Sequence, residues 1–144
     1  MVRRLCLLML VNFLDLGGGD MIRPGYHGYD EDQWNLAKKQ AKEILAERAR
    51  LRGMIPYSEL VAKIAAIDFN PHDIVFFHFL GEISKEEAEA GRGMMTALVV
   101  HKDGDMQPGP GFYELAKSLG RDVCDIDVCW VNEFKKVYAA WAPN

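Results

Sequence analysis

His101, Asp103 and Asp105 stand close together in the chain, and an imidazole beside two carboxylates is the set that general acid-base hydrolysis uses. The string Asp103-Gly104-Asp105 is also what a tight turn demands, because aspartate tolerates turn geometry and Gly104 supplies a left-handed backbone. The turn is the expectation here, with a small hydrolase built on His101, Asp103 and Asp105 as an alternative. His78 and Glu82 are four apart and would share a helix face with His72 nearby, which is the spacing of paired metal ligands. No further strong ligand falls at matching spacing, so no metal is expected, and His78 between Phe77 and Phe79 reads as a hydrogen-bonded core histidine. Cys124 and Cys129 lack a second ligand pair. No phosphate-binding loop, dinucleotide fingerprint or nucleophile motif occurs, so no cofactor is expected. The amides of Gly111 and Phe112, at an expected helix start, could hold one anion.

Cations offer a different chemistry. The chain is 144 residues long with a net charge of −4, which argues against a protein coated in basic residues for bulk nucleic-acid binding. Locally the balance reverses, because Lys38, Lys39, Lys42 and Arg50 crowd one helical segment, with Arg92 and Lys102 flanking an apolar run further on. These six are the candidates for contact with phosphates, and an ordinary solvated helix face is the competing reading.

The elements that must position these groups follow from apolar spacing. Trp34, Ala37, Ala41, Ile44, Leu45, Arg48 and Leu51 fall on one face of a helix that should start after the acidic residues 30–32, run to about Arg52 and end at Gly53. Pro56 makes the residues before it extended, and Tyr57, Leu60, Val61 and Ile64 form the inward stripe of a second helix. Asn70-Pro71 predicts an N-cap and a first helical turn, leading into a helix apolar nearly all round and therefore mostly buried. Ser84-Lys85-Glu86-Glu87 has the form of a capping box, which predicts a separate short helix closed by Gly91.

Residues 94–100 are an apolar run ending in two β-branched residues, predicted to be a strand enclosed by the core. Pro108 and Pro110 prevent a long return strand. Phe112, Tyr113, Leu115, Ala116 and Leu119 then mark a helix ended by Gly120. Trp130, Val131, Phe134, Val137, Tyr138 and Trp141 mark a last one over residues 128–141. The fold class is therefore α+β, mostly helical, with a small sheet. Residues 21–144 should form a single globular domain, since 49% hydrophobic composition is enough for a core at this length. Residues 1–20 imitate a secretory signal poorly, and Gly-Gly-Asp before Met21 suggests a leader ahead of a natural start at Met21, or a disordered arm. Three scattered cysteines read as reduced thiols in a cytoplasmic protein, and no run is long enough to span a bilayer.

The strings PYSELV, HFLGEIS and GRGMMTALVVHKDGDMQPGPGFYELAKSLGRD resemble a set of small bacterial proteins without assigned function. More distantly, the order of features is similar to the winged-helix half of DNA alkyltransferases and alkyltransferase-like proteins. Pro56-Tyr57-Ser58-Glu59-Leu60 matches their first helix start, Leu80-Gly81 their glycine-containing helix, and residues 95–100 their strand. The likeness implies a winged-helix-like core. Thr96 or a neighbour stands where that family has its reactive cysteine, so thiol alkyl transfer is excluded. Together these readings give a domain without catalysis of its own that binds nucleic acid through Lys38, Lys39, Lys42, Arg50, Arg92 and Lys102. The alternative is a protein-interaction or homodimer module in which Phe76, Phe79, Trp130 and Trp141 cover the partner.

Overall fold

A computed structural model describes residues 26–102 and 106–143. The expectations for residues 1–20, Asp103 and Asp105 lie outside the described residues. Helix α1 (Glu31–Arg50) is followed by strand β1 (Ile55–Pro56), helix α2 (Tyr57–Lys63) and helix α3 (Ile74–Glu89). A 3-10 turn (Met95–Leu98) leads into strand β2 (Val99–Val100), and helices α4 (Pro110–Ser118) and α5 (Ile126–Trp141) complete the order. The protein is thus mostly helical α+β with one small parallel sheet, in which Ile55 pairs with Val99 and Pro56 with Val100. Among the described residues, no helix is long and apolar enough to cross a membrane.

Residues 94–100 are buried, as their composition predicts, but they are not a seven-residue strand. The reason lies in what surrounds them. Met95, Leu98 and Val99 join the main core with Trp34, Leu45, Phe76 and Phe79, whereas Met94 and Ala97 join a second cluster with Phe112, Ala116 and Cys129. A strand would alternate faces every residue, placing Met94 with Leu98. The three-residue period of a 3-10 turn instead aligns Met94 with Ala97 and Met95 with Leu98, and so serves two cores at once.

The entry to this segment is fixed by Gly93 and α5. Gly93 has φ +84°, and a Cβ there would sit 2.8 Å from Lys136 Cβ and 3.3 Å from the Glu133 carbonyl oxygen. Both the backbone sign and the close approach require glycine. Glu133, 1% exposed, accepts the Met94 amide at 3.2 Å and is paired with Lys136 at 2.7 Å and Arg121 at 3.3 Å. Burial pushes its carboxyl up, but those two cations and the amide outweigh it and hold the pKa below the ordinary carboxylate value.

Three helix boundaries differ from their sequence signals. The left-handed residue after α1 is Arg52, φ +54°, and the Gly53 amide reaches back to the Arg48 carbonyl at 2.8 Å. Asn70 caps no helix; its side chain accepts the His72 amide in a turn, and Asp73 caps α3 by accepting the Val75 amide. Ser84 opens no separate helix, because α3 runs through it without a break and its hydroxyl is engaged with Thr96 across the core. The 16-residue α3 is also less enclosed than its composition suggests, with Ile74 65% and Phe77 43% exposed. His78 is exposed too, its ring edge-on to His27 at 5.0 Å, and so is not a core histidine.

Candidate functional site

Four segments distant in sequence meet at one cleft of about 120 Å³. Its walls are Tyr57 at the start of α2, Phe77 and Gly81 on α3, Thr96 and His101 around β2, and the turn Gly109 to Gly111 at the start of α4. The space is small, and three of the residues that line it, Tyr57, Phe77 and His101, carry rings.

Specific bonds join the segments around the cleft. Tyr57 Oη accepts the Gly109 amide at 2.8 Å, joining α2 to the turn before α4. Burial raises the Tyr57 pKa, opposed by the Gly109 bond, so the hydroxyl stays protonated. The His101 amide donates to the Gln107 carbonyl at 3.0 Å, and the His101 ring lies 5.0 Å from Tyr57, which is itself 6.1 Å from Phe77. Tyr57 therefore stands between the other two rings.

The glycines of the cleft are unusual in that the backbone does not require them. Gly81 lies inside α3 and Gly111 in the first turn of α4, neither has positive φ, and a Cβ at either would meet nothing within 4 Å. A helix-interior glycine such as Gly81 costs about 1 kcal/mol relative to alanine. Neither position is crowded by another part of the protein, and both face the open cleft.

The cations predicted to meet phosphates divide between two places. Lys38, Lys39, Lys42 and Arg50 line a groove with Trp141, and Arg92, expected with Lys102 beside the apolar run, reaches the same indole. The two guanidiniums lie 5.6 Å and 5.8 Å from the Trp141 ring. Much of this charge is already matched. Glu86 receives Lys38 at 2.6 Å and Lys42 at 2.8 Å, while Glu87 holds Arg92 through two bonds of 2.7 Å and 2.8 Å. Lys38 also meets Glu82. The sixth cation, Lys102, is exposed and adjoins His101 at the cleft. Because Glu82 and Glu86 occupy a different face of α3 from Phe77, Gly81 and Ser84, groove and cleft do not form one surface.

Other candidates sit as follows. Phe76 and Phe79 are fully buried in the main core and cover no partner. Trp130 donates to the Ala97 carbonyl at 2.8 Å, and Trp141 is covered by Arg50 and Arg92. Glu82 accepts from Trp34 Nε1 at 2.9 Å, and among the described residues no group of three or more His, Cys, Asp or Glu is placed to hold a metal. Cys124 and Cys129 are free thiols. Tyr57, Phe77 and Gly81 were not singled out by sequence reasoning as a site. The available signal was Gly81 itself, a glycine in an otherwise strongly helical run. Comparison of the chain with protein-family models, curated proteins and solved structures finds no match.

Proposed function

We propose that this protein is a winged-helix-like domain without catalysis of its own, which binds nucleic acid by taking one base into the cleft between α3 and α4. The observation that carries this reading is Gly81, a helix-interior glycine beside empty space where alanine would be more stable. The distant likeness to the winged-helix half of DNA alkyltransferases supplies the ligand class. Its matched residues Tyr57, Gly81 and Thr96, separate in sequence, all line this one cleft. Thr96 has its hydroxyl engaged with Ser84, an alcohol that cannot take a proton from it, so its position favours binding over transfer. Phe77, Tyr57 and His101 provide faces on which a ring can stack, and each such contact is worth roughly 1–3 kcal/mol in single-strand binding. Base entry requires unstacking, which is easiest where pairing is already weak.

Fluorescence anisotropy with two labelled duplexes, one fully paired and one carrying a single mismatched or alkylated base, tests the reading. The weakened duplex should bind more tightly, and Gly81→Leu, which fills the cleft from a helical position, should erase the difference. Equal affinity for both duplexes, or a preference untouched by Gly81→Leu, would sink it. A second reading, docking of a protein, is favoured by exposed Ile74 and Phe77 on α3. It requires a concentration-dependent mass or a captured partner sensitive to Phe77→Ala.

A further inference from the structure

The lining of the cleft is mostly apolar, and the polar floor that Thr96 gives it has a direction. Thr96 is 7% exposed and lies against Ser84, which is completely buried on α3. The Thr96 amide donates to Ser84 Oγ at 3.1 Å, and the two hydroxyl oxygens are themselves in hydrogen-bond contact. Either hydroxyl could donate in that contact. If Thr96 donated, the Ser84 hydrogen would be left inside the core, where no other acceptor among the described residues is in hydrogen-bond contact with it. An unsatisfied buried hydroxyl is costly, so Ser84 donates to Thr96. The hydrogen of Thr96 is then surplus to the core, and Thr96 borders the cleft. The Gly111 amide, in the first turn of α4 where no earlier helical carbonyl can receive it, belongs to the same lining.

The geometry points to a floor that donates hydrogen bonds, with Thr96 as the residue that selects a flat heteroaromatic ring by an acceptor on its edge. This assignment rests on the cleft being a ring-binding site, as proposed above, and adds which edge of the ring enters first. A ring with only carbon or N–H on that edge leaves the Thr96 hydroxyl unpaired and is disfavoured. Ser84 acts through Thr96 as a positioning residue, because its own donation fixes which way the Thr96 hydrogen points.

Benzimidazole and indole form a matched pair of probes. They share shape and an N–H, and only benzimidazole carries a ring-nitrogen acceptor. Titration followed by NMR of the full chain should show benzimidazole bound more tightly by about twofold to tenfold, the ratio that one neutral hydrogen bond provides. Thr96→Ser should keep that ratio, and Thr96→Val should bring it close to one. If Thr96→Val does not fold, the paired Ser84→Ala/Thr96→Val chain removes both hydroxyls together and should give the same loss. Equal binding of the two rings by the unaltered protein, binding of neither, or a preference that survives loss of the Thr96 hydroxyl would each overturn the assignment. The outcome separates from that of the duplex experiment. A benzimidazole preference without any duplex discrimination would uphold the donating floor and remove nucleic acid as its source. Duplex discrimination without a benzimidazole preference would overturn the floor and leave the cleft.

Discussion

Gly81 concentrates the conflict between stability and use at one residue. Nothing touches its vacant Cβ direction, its backbone is ordinary helix, and alanine should fit without moving a neighbour. Gly81→Ala is therefore expected to stabilise the fold by about 1 kcal/mol, a rise of a few degrees in melting temperature for a chain of this size. Calorimetry reads this directly, and a fall in stability would mean that the space around Gly81 is not open. Gly93 should behave oppositely. Its positive φ and the 2.8 Å approach to Lys136 Cβ predict that Gly93→Ala costs about 3 kcal/mol or more, visible in chemical denaturation. Both are glycines in a sequence rich in them, and only the surroundings tell the one kept for packing from the one kept for space.

At the level of elements, amphipathic spacing was legible where a helix has one buried face. The stripe of α1 was read from Trp34, Ala37, Ala41 and Leu45, though Leu51 at its end is 71% exposed. That of α5 was read from Trp130, Phe134, Val137 and Tyr138, though Val131 joins neither cluster and the buried Cys129 and Glu133 were missed. Residues 94–100 were not legible in this way, because a run that is apolar at almost every position carries no period. Their burial could be read, and their 3-10 geometry could not, since it is dictated by two cores contributed by other elements. The capping signal at Ser84 failed for a similar reason: its hydroxyl is claimed by Thr96, a partner that local pattern cannot reveal. The cleft was illegible as a whole, being assembled from four segments, although Tyr57 and Gly81 each left a trace.

The junction of α5 with the central segment predicts an acid response. Glu133 and Glu87 are buried and held below the ordinary carboxylate value of 4.5, Glu133 by Lys136 and Arg121 against its burial, Glu87 first by its bond to Arg92. A depressed folded-state pKa gives stability that is present above the unfolded value and lost as the pH falls through the folded one. Denaturant midpoints should thus fall as the pH drops below about 4.5, and Glu133→Gln should flatten part of that slope. A Glu133→Gln profile as steep as that of the unaltered chain would remove Glu133 as a source of the slope.

At the scale of the molecule, part of the basic charge expected to meet phosphates is already matched among the described residues. With Lys38, Lys42 and Arg92 matched internally and Lys102 the candidate cation beside the cleft, duplex binding should depend only weakly on salt, with a slope of about −0.9 per phosphate neutralised. A steep slope in anisotropy titrations would shift the interface to the Trp141 groove. The residues before α1 should respond to pH instead. His27 packs 5.6 Å from Trp34 and 5.0 Å from His78, and its pKa is lowered by burial and then by His78, while Glu82 and Asp73 pull it upward. The folded protein therefore resists protonating His27. Its hold on the Trp34 ring should weaken as the pH falls below about 6.5, a change that tryptophan fluorescence can follow and that His78→Ala should lessen.

The 3-10 turn has a mechanical corollary. Met94 and Met95 are consecutive in the chain yet face different hydrophobic compartments, so this thread of backbone, with Phe134 packed against both, separates them. Neither compartment can change volume without pressing on the other's wall. Truncating Leu98 on one side and Phe112 on the other should give losses of stability that do not add, though the two side chains belong to separate clusters.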